Sequence, residues 1–270
     1  MSSQGKADAP KELAEKAAIA PRHLLDPFFK ETAKEVLTAL ARNPHLQEPD
    51  FLRLLERKDL PAEAIREIAV HKEAARRYAV KLALARHPRT PRLITLPILK
   101  FLYLFDLLRV AQTPGVPADV KIVAEETILT KADTLPRGEK ITLARRASGR
   151  VVAGLLVTED PELLQAGLGN PFLTEAHILK LLARQDLPSR VVETLALHDK
   201  WSHRYHVRLA LMRNPSTPLQ QVLIFLPEMA VNDLREICLD RRMPEPVRTY
   251  ILNHCIDRLA RAPRILPPEP

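Results

Sequence analysis

The chain has 270 residues, of which 46% are hydrophobic and 27% charged, so it can build a core and falls outside the disordered class. Seven glycines against 24 prolines exclude a phosphate-cradling glycine loop and disfavour a fold rich in tight turns, and seven Phe, four Tyr and one Trp are few for a sandwich or barrel. A formal net charge of +8 permits an acidic partner (nucleic acid, an anionic membrane surface or an acidic protein) or serves solubility alone.

Residues 1–22 are rich in Ala, Lys and Glu, hold no apolar signal core, and read as a flexible or frayed segment. From residue 23 to 262 the pattern predicts a single all-α domain. Residues 39–88 read ALARNPHLQEPDFLRLLERKDLPAEAIREIAVHKEAARRYAVKLALARHP, and residues 166–215 read AGLGNPFLTEAHILKLLARQDLPSRVVETLALHDKWSHRYHVRLALMRNP. These match at 22 of 50 positions without a gap, at an offset of 127. The offset continues more weakly through Thr90-Pro91 and Thr217-Pro218, Asp106-Leu107 and Asp233-Leu234, and Val120 and Val247. The duplicated units are therefore expected at 39–132 and 166–257, joined by a partial repeat over 133–165.

Within each unit a shorter spacing appears. Asn43-Pro44 is followed after 44 residues by His87-Pro88, and Asn170-Pro171 after 44 by Asn214-Pro215. A period in that range, with two or three helices per repeat, is that of HEAT and armadillo solenoids. Residues before proline avoid the helical region, so Asn43, Asn170 and Asn214 are expected at helix ends. Pro61 and Pro188 should open helices with apolar stripes at Ile65 and Ile68 and at Val191, Val192 and Leu195. The most hydrophobic stretch, Leu93 to Val110, contains Pro97, Lys100, Asp106 and Arg109; it reads as two buried helices and not as a membrane span.

Chemistry-bearing residues are sparse. His198, His203 and His206 with Asp199 invite a metal reading, but only His71 and His198 recur between the units, which suits a histidine at a helix junction. Asp59 and Asp186 recur in Arg-(Lys/Gln)-Asp-Leu-Pro; as carboxylates they suit a ligand or base, and as local structure they suit N-caps of the helices that follow. Ser148 lacks a nucleophile motif and reads as a helix start, and no glycine-rich cofactor fingerprint occurs. Cys238 and Cys255 form neither a disulfide framework nor a metal cluster, which fits a reducing, cytoplasmic setting. No catalytic residue, metal or cofactor is predicted.

The basic residues carry more. Arg77 and Lys81 lie one turn apart, as do Arg204 and Arg208, with Lys200 one turn before them. Each set is a candidate phosphate-binding row or a solvated helix face with Glu73 paired to Arg77. Trp201, the only tryptophan, stands where the first unit has Ala74; it is either an anchor for a partner or a core filler. Residues 263–270 form a proline-rich tail, expected to be extended.

The phrases ARNPHLQEPDFLRLL, ARHPRTPRLI, GLGNPFLTEAHILKLL and MRNPSTPLQQVL resemble the bacterial leucine-rich repeat variant and HEAT-like families, in which an Asn-Pro turn leads into a leucine-rich helix. The resemblance covers most of residues 39–257. It implies a right-handed α-solenoid whose concave face holds a protein or peptide: a non-enzymatic scaffold for protein–protein interaction. The iron–sulfur cluster of leucine-rich repeat variant proteins is not carried over, because no cysteine precedes Cys238. The alternative is a nucleic-acid-binding HEAT-like protein using the basic rows. Some HEAT-like proteins are DNA-repair glycosylases, a role that calls for more stacking aromatics than this sequence offers.

Overall fold

Proline sets where the helices begin. A computed structural model describes residues 5–240 and 245–261, with side chains described from 10 to 240 and from 245 to 258; among these residues every regular element is helical. Pro61, Pro91, Pro117, Pro136, Pro188 and Pro218 each occupy the residue just before a helix, with φ near −60° and extended ψ. Proline is therefore at the N-cap position here and not inside the first turn. Its fixed φ suits that position, where no N–H is needed to close the first turn.

Contacts divide the chain into two compact units, residues 1–134 and 135–270. The first contains α1 (Gly5–Ile19), α2 (Lys34–Ala41), α3 (Glu48–Leu55), α4 (Ala62–Val70), α5 (Lys72–Arg76), α6 (Tyr78–Arg86), α7 (Arg92–Leu99), α8 (Leu104–Gln112) and α9 (Ala118–Ala132). The second contains α10 (Arg137–Arg146), α11 (Gly149–Leu155), α12 (Pro161–Leu168), α13 (Glu175–Leu182), α14 (Ser189–Leu197), α15 (Asp199–Ser202), α16 (Tyr205–Met212), α17 (Leu219–Phe225), α18 (Val231–Leu239) and α19 (Glu245–Arg261).

At an offset of 127, α2, α3, α4 and α8 coincide residue for residue with α12, α13, α14 and α18. The match reaches upstream of residue 39. Segment 133–165, expected as a partial joining repeat, contains α10, α11 and the start of α12, which are the second unit's own opening helices.

Most of these helices have only seven to ten residues and could not persist alone in water. Their stability comes from stacking. In the first unit α2 packs on α4, α3 on α6 and α7 on α9; in the second α10 packs on α12, α11 on α13 and α13 on α16. Phe51, Leu54, Ile65 and Ile68 are fully or almost fully buried, as are their counterparts Ile178, Leu181, Val192 and Leu195.

Polar links run at the same step. Tyr78 Oη donates to Asp106, 28 residues on, and Tyr205 to Asp233, also 28 on. Packing thus repeats about every two helices. The 44-residue spacing read from the Asn-Pro and His-Pro turns spans three full helices and the single turn of α5 or α15.

The asparagines of those turns do more than end helices. Asn43 is fully buried; its Nδ2 donates to the carbonyls of Ala17 (2.8 Å) and Ala20 (2.9 Å) at the end of α1, and its Oδ1 accepts from His45 N–H (2.8 Å). Asn170 repeats this with Ala144, Ala147 and Phe172 at 2.8, 3.1 and 2.7 Å. Each satisfies backbone groups that burial would otherwise orphan. At His87 an imidazole does the same: Nδ1 accepts from Arg89 N–H (3.2 Å) while Nε2 lies 2.9 Å from the Arg57 carbonyl. Asn214 keeps, among the described residues, the local contact alone, its side chain accepting from Ser216 N–H at 2.9 Å.

Asp59 and Asp186 are not N-caps. The capping position belongs to Pro61 and Pro188, two residues on, and both carboxylates turn to arginines instead. Asp59 holds Arg57 through two hydrogen bonds (3.2 and 2.7 Å), and Asp186 holds Arg184 likewise (2.9 and 2.7 Å). Those arginines, their first hydrogen-bond partners, keep both carboxyls below the usual carboxylate range. Arg57 in turn reaches the carbonyls of Phe29 and Glu31, both at 2.7 Å. Among the described residues no helix is long and apolar enough to cross a membrane.

Candidate interaction surfaces

The predicted basic rows are largely engaged within their own units. Arg77 sits at the start of α6 with carboxylate oxygens of Glu73 and Glu48 at 3.7 and 3.9 Å. Arg204 occupies the same place before α16, 3.8 Å from Glu175, the counterpart of Glu48. Arg208 is a structural residue, its side chain only 11% exposed. Its Nε donates to the Ser202 carbonyl (2.5 Å), Nη1 pairs with Glu228, Nη2 meets His203 Nδ1 (3.0 Å), and the guanidinium lies over the Phe225 ring. Three partners fix this fork, so it is not available to a phosphate.

The neighbouring arginines are also taken: Arg86 donates to Thr113, Arg92 pairs with Asp119, and Arg213 with Glu236. Lys81 and Lys200 differ. Neither has a carboxylate partner among the described residues, and each ammonium lies near a ring, Lys81 at 5.7 Å from the Phe101 centroid and Lys200 at 4.3 Å from that of Trp201.

Trp201 is not a partner-facing anchor. It is 1% exposed, and its Nε1 donates to the Leu168 carbonyl (3.0 Å), tying α15 to α12. The bulk of an indole fills the space that the first unit closes around Ala74, itself fully buried.

The histidines do not converge. His198 Nδ1 accepts from Lys200 N–H (3.1 Å), capping α15, while His203 and His206 turn to Arg208 and Glu175. Burial pushes the His198 imidazole below its ordinary value. Among the described residues no group of three or more His, Cys, Asp or Glu is placed to hold a metal ion. Ser148 stands at the N-terminal edge of α11, beside Gly149. A Cβ at Gly149 would come within 2.4 Å of the Phe172 carbonyl and of the His177 ring, so only glycine allows this approach of α11 to the turn before α13.

Two surfaces stand out, one in each unit. In the second, α13 and α16 enclose a groove of about 580 Å³, with Leu179, Leu182 and Leu209 along its floor and Arg184, His206 and Arg213 around it. An apolar floor bordered by polar groups suits a segment of polypeptide.

In the first unit, residues 93–110 form two helices, α7 and α8, as the sequence predicts, but the stretch is not wholly buried. Leu93 projects into solvent, Phe101 and Tyr103 are each 70% exposed, and Phe105 is partly exposed. Tyr103 stacks obliquely on Tyr78, ring centroids 4.8 Å apart, and Tyr78 Oη accepts from Tyr103 N–H (3.0 Å) while donating to Asp106 (2.6 Å). Burial and then that donation push the Tyr78 hydroxyl up to about 12. The sequence showed this aromatic set only indirectly: its counterparts at the 127 offset are Glu228, Ala230 and Asn232. No protein-family model matches the chain, and neither a curated protein nor a solved structure does.

Proposed function

We propose that the chain is a non-enzymatic, cytoplasmic helical-repeat scaffold of the HEAT-like, right-handed solenoid kind, and that it binds a protein or peptide partner. The groove between α13 and α16 carries this reading. Leu179 and Leu209 on its lining are partly exposed, and the polar groups around it are already paired: Arg184 with Asp186, Arg213 with Glu236 and His206 with Glu175. A ligand there would gain affinity from apolar burial, about 25 cal/mol per Å², with the paired charges setting orientation and specificity.

The preserved polar groups support a structural role for the framework. Asn43 and Asn170, Tyr78 and Tyr205, and Lys131 and Arg258 all bind backbone or neighbouring helices, the last two through the Leu102 and Met229 carbonyls. Asp59 and Asp186 are held by arginines, which leaves them poorly suited to act as bases.

The test is capture from the native cell by the full chain and by Ala210→Arg, a substitution that obstructs the groove. The reading expects a partner held by the wild type and lost with the variant, its contacts crosslinking to Leu209. Retention of the same proteins by both would contradict it.

A further inference from the structure

The duplication supplies an internal control for the aromatic surface. Residues 226–228 form a 3-10 turn where 99–101 end α7 in a turn, but Tyr103 and Ala230 share an extended backbone (φ −67° in both) and the helices α8 and α18 that follow them coincide at the 127 offset, so a similar backbone is built with two different sets of side chains. Where the second unit has Glu228, Ala230 and Asn232, the first has Phe101, Tyr103 and Phe105. Folding of this turn therefore does not need the rings.

The charges change with them. In the second unit Arg208 pairs with Glu228, and the two cancel. In the first, Lys81 replaces the arginine and Phe101 replaces the glutamate, while exposed Lys100 replaces Pro227. The local sum rises from zero (Arg208 and Glu228) to two positive charges (Lys81 and Lys100). Neither lysine has a carboxylate partner among the described residues. The carboxylate that contacts the aromatic set, Asp106, is held by Tyr78 and Arg109.

Exposed ring faces beside unneutralised ammonium groups match a chain that alternates flat aromatic groups with anions. We infer that the Phe101–Tyr103–Lys81 surface of the first unit binds single-stranded nucleic acid. Bases stack on Phe101 and Tyr103, and the flanking phosphates meet Lys81 and Lys100. An acidic peptide would use the lysines but leave the rings without a role, and a duplex hides its base faces. This site is separate from the α13–α16 groove, so it stands or falls independently of the scaffold reading.

The test is fluorescence anisotropy of the full chain with a labelled oligothymidylate of about 20 nucleotides, enough to cover a single-strand site. Binding should weaken as salt rises, with a slope near −0.7 per phosphate contact, and Lys81→Gln should lower that slope by about that amount. The pair Phe101→Ala with Tyr103→Ala should lose about tenfold or more in affinity. The helical circular dichroism should be unchanged, since the second unit already carries alanine at Ala230. Tyr103→Trp should keep binding, with its fluorescence quenched by the stacked base, while Ala210→Arg should have no effect.

Absence of binding at low salt would overturn the proposal. So would equal affinity for duplex DNA, equal displacement by polyglutamate, or binding indifferent to the loss of both rings. If the double alanine variant fails to fold, the Tyr103→Trp quenching decides, and its absence refutes the stacking.

Discussion

The two units share a framework and differ at their surfaces, and the contrast separates what holds the fold from what is free to vary. The shared residues include polar ties as well as core leucines: Asn43 with Asn170 and Thr90 with Thr217 hold the backbone of a preceding helix, and Tyr78 with Tyr205 hold an acid on a following one. Some apolar core positions are looser, with Phe51 facing a counterpart Ile178 and Ile65 a counterpart Val192. Hydrophobic packing accepts any side chain of about the right volume, whereas a buried carbonyl needs a donor at one place. Divergent pairs include Ala74 against Trp201 in the interior, and Lys81 with Phe101 against the largely buried Arg208 with Glu228.

The largest test of this contrast is Trp201→Ala. It should cost about 3–5 kcal/mol by opening a cavity under α15, whereas the first unit already closes around alanine there. Urea unfolding should show the loss confined to the transition of residues 135–270. A loss spread evenly over both units would mean that the indole is not local to the second.

Next come Asn43→Ala and Asn170→Ala. Each leaves two carbonyls and an amide without a partner, at about 2–4 kcal/mol in total, taking about 1–3 kcal/mol per orphaned buried group with partial relaxation. The two losses should agree within about 1 kcal/mol, the usual context scatter for equivalent sites. If one asparagine proves neutral, the framework is not shared.

A smaller asymmetry is expected between Arg208→Ala, at about 1–3 kcal/mol for a largely buried guanidinium with three partners, and Lys81→Ala, within about 0.5 kcal/mol as for an ordinary surface site. Thermal melts of the two variants measure the difference, and equal shifts would erase it.

The smallest effect concerns pH. His198 must stay neutral at Nδ1 to accept from Lys200 N–H, and burial lowers its folded value below the ordinary 6.5. A depressed value means that the contribution is present above about pH 6.5 and is lost as pH falls through the folded value. His198→Asn should flatten that part of the stability profile between pH 7.5 and 5.5, about one unit either side of the free imidazole value. An unchanged slope would assign the pH response to another group.

Half of this architecture was legible in the sequence. Residues 39–88 and 166–215 announce the duplication because turn prolines, core leucines, one buried asparagine and one tyrosine are kept. The first thirty residues of each unit are silent. Between 8–38 and 135–165 the matches are only Glu12 with Glu139, Ala17 with Ala144, Ala20 with Ala147, Glu35 with Glu162, and Leu37 with Leu164. Two of those pairs, Ala17 with Ala144 and Ala20 with Ala147, supply the carbonyls that Asn43 and Asn170 grip, but a carbonyl contact asks little of the side chain that bears it, so these few identities do not stand out.

Asp59 and Asp186 looked like caps because an acid precedes a proline-led helix. The arginine two residues earlier in each, Arg57 and Arg184, was the sign that the carboxylate had another use. Burial of Trp201 depends on the space left by neighbours three helices away, which no local pattern encodes. The aromatic surface was hidden inside a hydrophobic run and emerges only when Phe101 and Tyr103 are set against Glu228 and Ala230.

The central claim is that the chain consists of two complete copies meeting near residue 134, the first opening with α1 and the second with α10. Expressing residues 1–134 and 135–270 separately tests it most directly. Each fragment should give a helical circular dichroism spectrum and a cooperative thermal transition. If instead the second fragment folds only when it begins at residue 166, the segment 133–165 is a linker and the account of two complete copies is wrong.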